Sequence, residues 1–269
     1  MSFTSQVILI TGASSGIGRS TAEYLVKKGY RVFGASRSEP EKNVGFEWVC
    51  MDVTSEESVG QAVSQVLEIA GRIDVLINNA GLGIVGPLEE TTDELIHTVF
   101  NTNVMGTLRV CRAIIPILRS QQSGMILNIS SIAAEMGLPF RGIYSASKAS
   151  LEILTESLSM ELKEFNIRVC SLLPGDIATS INQNRLVVNL RENSVYADRF
   201  AKIHHQINEE VSQAAQPIVI AKAVARIIGK KNPELHYTVG PFIQKSAILL
   251  RRILPQRAFE RLLMWFYGI

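Results

Sequence analysis

Short apolar runs rich in β-branched residues alternate with longer stretches of helical periodicity from the start of the chain to about residue 240. The seven runs are VILI at 7–10, RVFGA at 31–35, FEWVC at 46–50, DVLIN at 74–78, MILNIS at 125–130, RVCSLL at 168–173 and LHYTV at 235–239. Strands that are separated by helices belong to a parallel sheet, whose two faces the helices cover. The alternation therefore predicts an α/β fold, a doubly wound parallel sheet of about seven strands with ligands at the carboxyl ends of the strands.

The composition fits one large domain over residues 1–269, because 46% of the residues are apolar and 19% are charged. A formal charge of +2 with scattered basic residues argues against nucleic-acid binding. We expect neither a signal peptide nor a membrane span, because the apolar runs are too short. Cys50, Cys111 and Cys170 lie far apart without a zinc spacing, which predicts buried free thiols and a reducing, cytoplasmic location.

The first run ends in TGASSGIGR, which places Gly12, Gly16 and Gly18 between a strand and a helix that begins near residue 15 or 16. Because glycine has no Cβ, the backbone of such a loop can approach a pyrophosphate closely. The helix N-terminus adds unpaired N–H groups and a partial positive charge. By itself the loop predicts a phosphate site, with a glycine-rich turn that binds nothing as the alternative.

Further motifs follow in order: NNAG at 78–81, NTNVMG at 101–106, NISS at 128–131, YSASK at 144–148 and PGDIAT at 174–179. With TGxxxGxG, and with a serine 13 residues before the tyrosine of YxxxK, the set resembles the short-chain dehydrogenase/reductase family from residue 6 to about residue 240. The resemblance implies a Rossmann-type fold, a nicotinamide cofactor, and hydride transfer between a carbonyl compound and an alcohol.

By this resemblance Tyr144 is the general acid or base, and Ser131 hydrogen-bonds the substrate oxygen. Lys148 lies one helical turn after the tyrosine, where its ammonium is expected to make the phenol more acidic and to hold the cofactor ribose. Asn103 matches the asparagine that supports a water-linked proton relay to the lysine. The 13-residue spacing favours Ser131 over Ser130, which we expect to be structural.

The resemblance also implies cofactor contacts along the carboxyl edge of the sheet. They are Gly12, Ser14, Ser15, Gly16, Ile17, Gly18, Ser36, Arg37, Asp52, Val53, Asn79, Ala80, Gly81, Tyr144, Lys148, Pro174, Gly175, Ile177 and Thr179. Among them Asp52 is expected against the adenine amino group, and residues 174–179 against the nicotinamide carboxamide. Asn78 is expected to order the sheet.

Ser36 and Arg37 occupy the place, about twenty residues after the glycine loop, where dinucleotide folds carry a ribose-binding acid. A carboxylate there accepts from the ribose 2′-OH, whereas a guanidinium can pair bidentately with a 2′-phosphate, with the Ser36 hydroxyl as a second donor. The sequence therefore predicts NADP(H) as the cofactor. In the alternative, Arg37 is solvated and Glu39 curls back to hold an unphosphorylated ribose.

Two regions lie outside the motifs. Residues 176–216 form a long excursion that predicts a substrate lid or wall, with a peripheral helical insert as the alternative. An apolar mouth is expected from Leu138, Phe140, Ile181 and Leu186.

The second region, residues 241–269, is an amphipathic extension with five basic residues and one acidic residue. Phe259, Leu262, Leu263 and Phe266 recur at i, i+3, i+4 and i+7 and predict one apolar helical face. The favoured interpretation is that this face packs on the body or closes as a lid. An oligomer interface and an acidic membrane surface are the alternatives.

These residues predict an NADP(H)-dependent oxidoreductase that interconverts a ketone or aldehyde and the corresponding alcohol. The expected substrate is a small molecule that is apolar or lipid-like. The resemblance also implies that the protein forms a homodimer or a homotetramer. An NADPH-binding sensor without turnover is the alternative from another class, and an epimerase or dehydratase fits the glycine spacing less well. No metal site is predicted, since His204 and His205 lack a third ligand at a suitable spacing, and His97 and His236 show no partner.

Overall fold

The computed structural model describes residues 6–40, 44–178, 185–212 and 214–269. The strands, numbered in chain order, are β1 (Val7–Thr11), β2 (Arg31–Ser36), β3 (Glu47–Cys50), β4 (Val75–Asn78), β5 (Ile84–Val85), β6 (Gly124–Ile129), β7 (Ile167–Pro174), β8 (Leu186–Val187) and β9 (His236–Val239). The α-helices are α1 (Gly16–Lys27), α2 (Glu56–Ala70), α3 (Asp93–Phe100), α4 (Thr107–Gln121), α5 (Gly142–Glu161), α6 (Ala197–Ser212), α7 (Ile218–Ile228), α8 (Phe242–Ile253) and α9 (Gln256–Tyr267). Short 3₁₀ turns lie at Leu88–Glu90, Ile132–Glu135 and Lys163–Phe165, and a π-helical turn lies at Asn101–Gly106.

The main sheet has the strand order β3-β2-β1-β4-β6-β7-β9, and all of its pairings are parallel. The chain moves outward from β1 to β3 and then returns to β4 beside β1, so the order reverses between β1 and β4. The connections that follow these two strands therefore diverge and open a crevice at the carboxyl edge. The prediction of a doubly wound parallel sheet of seven strands is confirmed.

Alternate residues of the central strands pack into different apolar layers. In β1, Val7 and Leu9 join the layer that α2 and α4 cover, whereas Ile8 and Ile10 join the layer that α1 and α7 cover. Because both faces are covered, the strand is apolar throughout instead of alternating with polar residues. This double packing holds the carboxyl ends of the strands, and hence the loops that follow them, in fixed positions.

Two features of the fold differ from the sequence predictions. The strands β5 and β8 pair in a separate small sheet, and at two residues each they are too short to produce a recognisable pattern. Cys50 is exposed, so the expectation that all three thiols are buried was wrong for this residue. It ends β3, the edge strand, which has a neighbour on one side only. Cys111 and Cys170 are buried, and burial raises the pKa of each thiol to about 12.

Within the described ranges, none of the helices combines the length and the apolar character that crossing a membrane requires.

Candidate active site

The glycine loop between β1 and α1 forms a cradle at the crevice. Gly12 and Gly16 have φ of 67° and 55°, in the left-handed region that glycine adopts without strain. A Cβ on Gly18 would lie 2.3 Å from the Gly12 carbonyl oxygen and 2.5 Å from Asn79 Nδ2. The loop therefore accommodates only bare backbone at these points, which suits close approach by the pyrophosphate of a dinucleotide and its binding to the N–H groups at the start of α1.

The NNAG segment after β4 is hydrogen-bonded to this loop. Asn79 Nδ2 donates to the carbonyl oxygens of Thr11 and Gly12 at 2.9 and 3.1 Å, and Thr11 Oγ1 accepts from the backbone N–H groups of Asn79 and Ala80. Asn78 is buried and donates to Asn128 Oδ1 at 2.9 Å on the neighbouring strand β6. These bonds fix β1, β4 and β6 relative to one another at the crevice.

Asn103 lies in the π-helical turn and is fully buried. Its Nδ2 donates to the Leu82 carbonyl oxygen and to Ser147 Oγ, and its Oδ1 accepts from the Leu82 N–H at 2.7 Å. A Cβ on Gly81 would lie 3.2 Å from Asn103 Oδ1 and 3.4 Å from Lys148 Nζ, so both groups flank the same point of the backbone. Asn103 thus positions the chain after the NNAG segment, and its side chain does not line the crevice.

Tyr144 lies in the first turn of α5, and Ser131 follows β6. Ser131 Oγ accepts from the Ala133 N–H at 3.1 Å, and Ser131 lies close enough to the Tyr144 hydroxyl to act on its pKa. Burial raises the pKa of Tyr144, and the interaction with Ser131 and the charges of Arg141 and Arg185 only partly offset it. The phenol is therefore less acidic than usual in the cofactor-free protein, opposite to the direction expected from the neighbouring lysine.

Lys148 is buried one turn after Tyr144, and its Nζ donates to the Ile129 carbonyl oxygen at 3.0 Å. Burial lowers the pKa of Lys148 from 10.5 to about 8, against the opposing charge of Glu152. Ser130 is also buried, with its Oγ 3.5 Å from the Lys148 carbonyl oxygen, and it borders the same crevice as Ser131.

A cluster of polar groups lies behind the lysine. Glu152 Oε2 accepts from Ser171 Oγ at 2.7 Å and lies 2.8 Å from His236 Nδ1, and His236 Nε2 lies 3.3 Å from Glu156 Oε1. The expectation that His236 has no partner was therefore wrong. Its partners come from α5 and β7, more than sixty residues earlier in the chain, so no local pattern announces them.

Replacing Lys148 by methionine is expected to raise the free energy of unfolding of the cofactor-free protein at neutral pH by about 2 kcal/mol. The fall of the lysine pKa from 10.5 to about 8 corresponds to roughly 3 kcal/mol, and the lost hydrogen bond to Ile129 offsets about 1 kcal/mol of it. Urea unfolding of both proteins across the pH range measures the difference.

The pH dependence of that difference is an internal control. Below pH 8 the lysine is protonated in the folded and unfolded states, so the cost of burying the ammonium applies in full. Between pH 8 and 10.5 the folded lysine loses its proton first, and the wild type gains stability as the pH rises. The advantage of Lys148→Met should therefore shrink over this interval. A variant that is less stable than the wild type at every pH would contradict the assignment.

At the end of β2, Arg37 is exposed and Ser36 is buried. Ser36 Oγ donates to the Ser38 carbonyl oxygen at 2.8 Å and accepts from Trp48 Nε1 at 3.0 Å. The hydroxyl hydrogen of Ser36 therefore already has an acceptor, so Ser36 does not offer the second donor that was expected for a 2′-phosphate. Of the two residues, the expected phosphate contact then depends on Arg37. Burial opposes ionisation of Asp52, but hydrogen bonds from Thr54 and the charges of Arg37 and Arg109 lower its pKa overall.

A cavity of about 1060 Å³ extends from the glycine loop past Tyr144 to the C-terminal helices. All the predicted cofactor residues line it except Gly18, which packs behind the loop, and Thr179, which lies outside the described residues. Ser131 also lines it, whereas Asn103 does not. The cavity thus brings most of the predicted site together.

The predicted apolar mouth is only partly correct. Leu138 lines the cavity. Phe140 instead packs edge-on against Tyr196 and Phe200, and Leu186 pairs with Ile84 in the small sheet. Ile181 lies outside the described residues. The far end of the cavity is formed mainly by α8 and α9, whose sequences carry no family motif.

The apolar face of α9 is rotated from the predicted one. Phe259 and Tyr267 are buried and Leu263 packs beside them, whereas Leu262 and Phe266 stay exposed. Tyr267 is held by Arg141, whose Nη2 donates to the tyrosine hydroxyl and whose guanidinium lies 5.8 Å from the ring centroid. This contact ties the last helix to the residue immediately before α5.

Several groups that line the cavity were missed from the sequence. Arg141 lies three residues before Tyr144, a spacing that could have suggested it. Asp176 lies within the PGDIAT motif but was not singled out, and Arg185, Glu210 and Gln244 come from the excursion and the tail, where no motif marks them. Gln244 Oε1 accepts from the Asp176 N–H at 3.0 Å and its Nε2 donates to the Asp176 carboxylate, so α8 also holds the loop after β7.

A crevice at the strand-order reversal, with a glycine cradle at one end and a buried tyrosine and lysine at the other, is typical of dinucleotide-binding oxidoreductases. Residues 6–187 match the family described as short chain dehydrogenase. The chain belongs to the short-chain dehydrogenase/reductase family, whose members use nicotinamide cofactors and act on small-molecule substrates.

Individual relatives extend the similarity over the whole chain. A 3-ketodihydrosphingosine reductase of Bacteroides thetaiotaomicron is 41% identical over 266 residues, which cover 98% of each chain. The crystal structure of a short-chain dehydrogenase from Streptomyces avermitilis has a TM-score of 0.83 at 31% identity and covers 97% of each chain. A family member from Burkholderia phymatum in complex with NAD has a TM-score of 0.81 at 27% identity, with 94% of each chain covered.

Proposed function

We propose that the protein is an NADPH-dependent reductase of a long-chain 3-keto lipid such as 3-ketodihydrosphingosine. The observation that carries the proposal is the 41% identity over 98% of both chains to the reductase of that name. Because this similarity includes α8 and α9, it extends over the part of the cavity that the family motifs leave open.

The cavity supports a substrate with a polar head and an apolar chain. Around Tyr144 its lining includes Arg141, Asp176 and Arg185, Glu210 lines it near Tyr267, and the residues of α8 and α9 that line it are mostly apolar. In 3-ketodihydrosphingosine the carbon on one side of the ketone bears an ammonium group, with a hydroxyl on the next carbon, and the long chain lies on the other side. In our proposal the carboxylates of Asp176 and Glu210 receive the ammonium group, and the acyl chain runs along α8 and α9.

The glycine cradle fits a dinucleotide, because a Cβ at Gly18 would collide with the loop backbone. A bound nicotinamide cofactor would supply the hydride. Tyr144 would donate its proton to the carbonyl oxygen, and the raised pKa means that the phenol holds that proton at neutral pH before the reaction. Ser131 would orient the same oxygen, Lys148 would stabilise the phenolate left behind, and Asn103 would position the backbone beside Lys148.

Arg37 supports NADP(H) over NAD(H). It is exposed at the end of β2 and lines the cavity beside Ser38 and Asp52, where a ribose 2′-phosphate would lie. The similar Burkholderia phymatum structure contains NAD, so cofactor choice within this fold depends on local residues such as this one.

The test is a comparison of NADPH and NADH oxidation by the purified protein with 3-ketodihydrosphingosine in mixed micelles. The expected kcat/KM with NADPH is at least about tenfold higher than with NADH, because charge-assisted hydrogen bonds contribute about 1.5–3 kcal/mol. Arg37→Asp should lower kcat/KM for NADPH by at least about 10–150-fold and should not lower the value for NADH, because a carboxylate there can accept from the ribose 2′-OH.

Lys222→Asp is the matched control, since it makes the same charge change at an exposed position of α7 that does not line the cavity. A kcat/KM for NADH equal to or above that for NADPH would refute the cofactor assignment. Binding of NADPH with no turnover of this or related 3-keto lipids would favour the sensor function instead.

We further propose a single-domain subunit that associates with other copies through α4 and α5. Ile153 and Met160 support this surface, because both lie on α5 and are 65% and 73% exposed.

A further inference from the structure

The C-terminal helices expose an unusual set of large apolar side chains. Phe242 is 84% exposed, Ile243 75% and Trp265 78%, and six further large apolar residues of α8 and α9 are also exposed. We call the six of these nine residues that border the cavity the apolar rim: Phe242, Ile243, Leu250, Leu262, Trp265 and Phe266. Isolated exposed apolar residues need no explanation, but a contiguous set of this size indicates an interaction site.

Every residue of the apolar rim also lines the cavity. The rim is therefore the mouth of the cavity that contains Tyr144, and not a separate patch. Both helices are anchored to the body of the protein. On α8, Arg251 donates to the Glu135 carbonyl oxygen. On α9, the Tyr267 hydroxyl accepts from Arg141. The exposed side chains are thus presented on anchored helices, and none of the described residues covers them.

Basic side chains lie on the same two helices as the apolar rim, and two of them, Arg252 and Arg257, are ion-paired with Glu135 and Glu260. Lys245 lies one turn after Phe242, and Arg261 lies one turn before Trp265, so on each helix a cation shares a face with a rim residue. Arg252 and Arg257 are exposed on the same two helices. Residues 241–269 carry five basic residues and one acidic residue. An apolar surface with aromatic residues and flanking cations is the chemistry that binds the interface of an acidic bilayer.

We propose that the apolar rim docks on an acidic phospholipid surface, so that the mouth of the cavity opens against the membrane. A second copy of the chain is the less suitable occupant. A twofold contact buries the same surface on both copies, and it would bring two sets of like charges together. Acidic headgroups neutralise these charges, while the acyl region receives the aromatic side chains.

Docking in this position would let a lipid substrate pass from the bilayer into the cavity without exposing its acyl chain to water. This delivery role rests on the proposed function, whereas membrane binding does not. The experiment therefore measures binding without cofactor or substrate.

The test is co-sedimentation of the full chain with vesicles of phosphatidylcholine, alone or mixed with phosphatidylglycerol. Binding is expected only with the acidic vesicles, and high salt should weaken it. The chain has two tryptophans, so in Trp48→Phe all tryptophan emission comes from Trp265. That emission should shift to the blue on binding, and brominated acyl chains should quench it.

Phe242→Ser combined with Trp265→Ser is expected to lower the vesicle partition coefficient at least about tenfold, given the apolar area that these side chains bury. The matched control, Ile69→Ser combined with Val195→Ser, removes two exposed apolar residues that do not line the cavity and should leave binding unchanged. Circular dichroism checks that both variants fold.

Equal binding to neutral and acidic vesicles, or no binding to either, would overturn the proposal. So would sedimentation velocity showing that the wild type is a dimer and the rim variant a monomer, because the rim would then be a contact between copies. Vesicle binding without any reductase activity would sustain the surface assignment and remove only the delivery role.

Discussion

Replacing Tyr144 by phenylalanine is expected to lower kcat for carbonyl reduction by about 10²–10⁴-fold, the usual contribution of a positioned general acid. The ring packs beside the cluster of Ile84, Val99 and Val188, and phenylalanine retains that packing. The substitution removes only the phenolic hydroxyl, which lies close to Ser131. Single-turnover kinetics measures the chemical step, and a fluorescence titration with NADPH should show nearly unchanged cofactor affinity.

Tyr30→Phe is the matched control, because it removes a phenolic hydroxyl at a position that does not line the cavity. It should leave kcat within a factor of about two, as expected for a substitution away from the site. If Tyr144→Phe retained more than about a tenth of the wild-type kcat, Tyr144 could not be the general acid.

Gly18→Ala is expected to destabilise the protein by at least about 2 kcal/mol and to abolish detectable NADPH binding. The new Cβ would lie 2.3 Å from the Gly12 carbonyl oxygen. Backbone atoms cannot move aside as a flexible side chain can, so the glycine loop would have to shift away from the geometry that a pyrophosphate requires. Urea unfolding measures the stability, and the NADPH titration reports the loop.

Gly60→Ala provides a control of opposite sign. Gly60 lies within α2, and a Cβ there would meet no described atom within 4 Å. Because alanine favours a helix over glycine, this substitution should stabilise the protein by about 0.5–1 kcal/mol. Helix propensity alone predicts the same gain at Gly18 in α1, so a stabilising Gly18→Ala would show that the close contact is not rigid.

The sheet and the cofactor edge could be predicted from the sequence because their signals are local. A buried strand such as β1 is a continuous apolar run, and the glycine loop, NNAG and YxxxK motifs each fit within a few residues. Parallel strands then bring these segments to one edge of the sheet. The local motifs and the parallel arrangement of the strands together predict the doubly wound sheet and the grouping of Gly12, Tyr144 and Pro174 around one cavity.

The features that the sequence did not reveal depend on contacts between distant segments. Ser36 Oγ accepts from Trp48 Nε1 because β3 pairs with β2, and His236 lies beside Glu152 because β9 is next to β7. The periodicity of α9 identified an amphipathic helix, but not which side of it meets the body. Arg141 settles that orientation by binding Tyr267.

The position of Gly268 and Ile269 has a practical consequence. Lys202 on α6 donates to the Gly268 carbonyl oxygen, and Ile269 packs beside Phe200 and Ile203, so the last two residues lie in a crowded place near the substrate mouth. An affinity tag fused after Ile269 would start there and compete with whatever approaches α9. Purification and surface immobilisation should therefore use the opposite terminus.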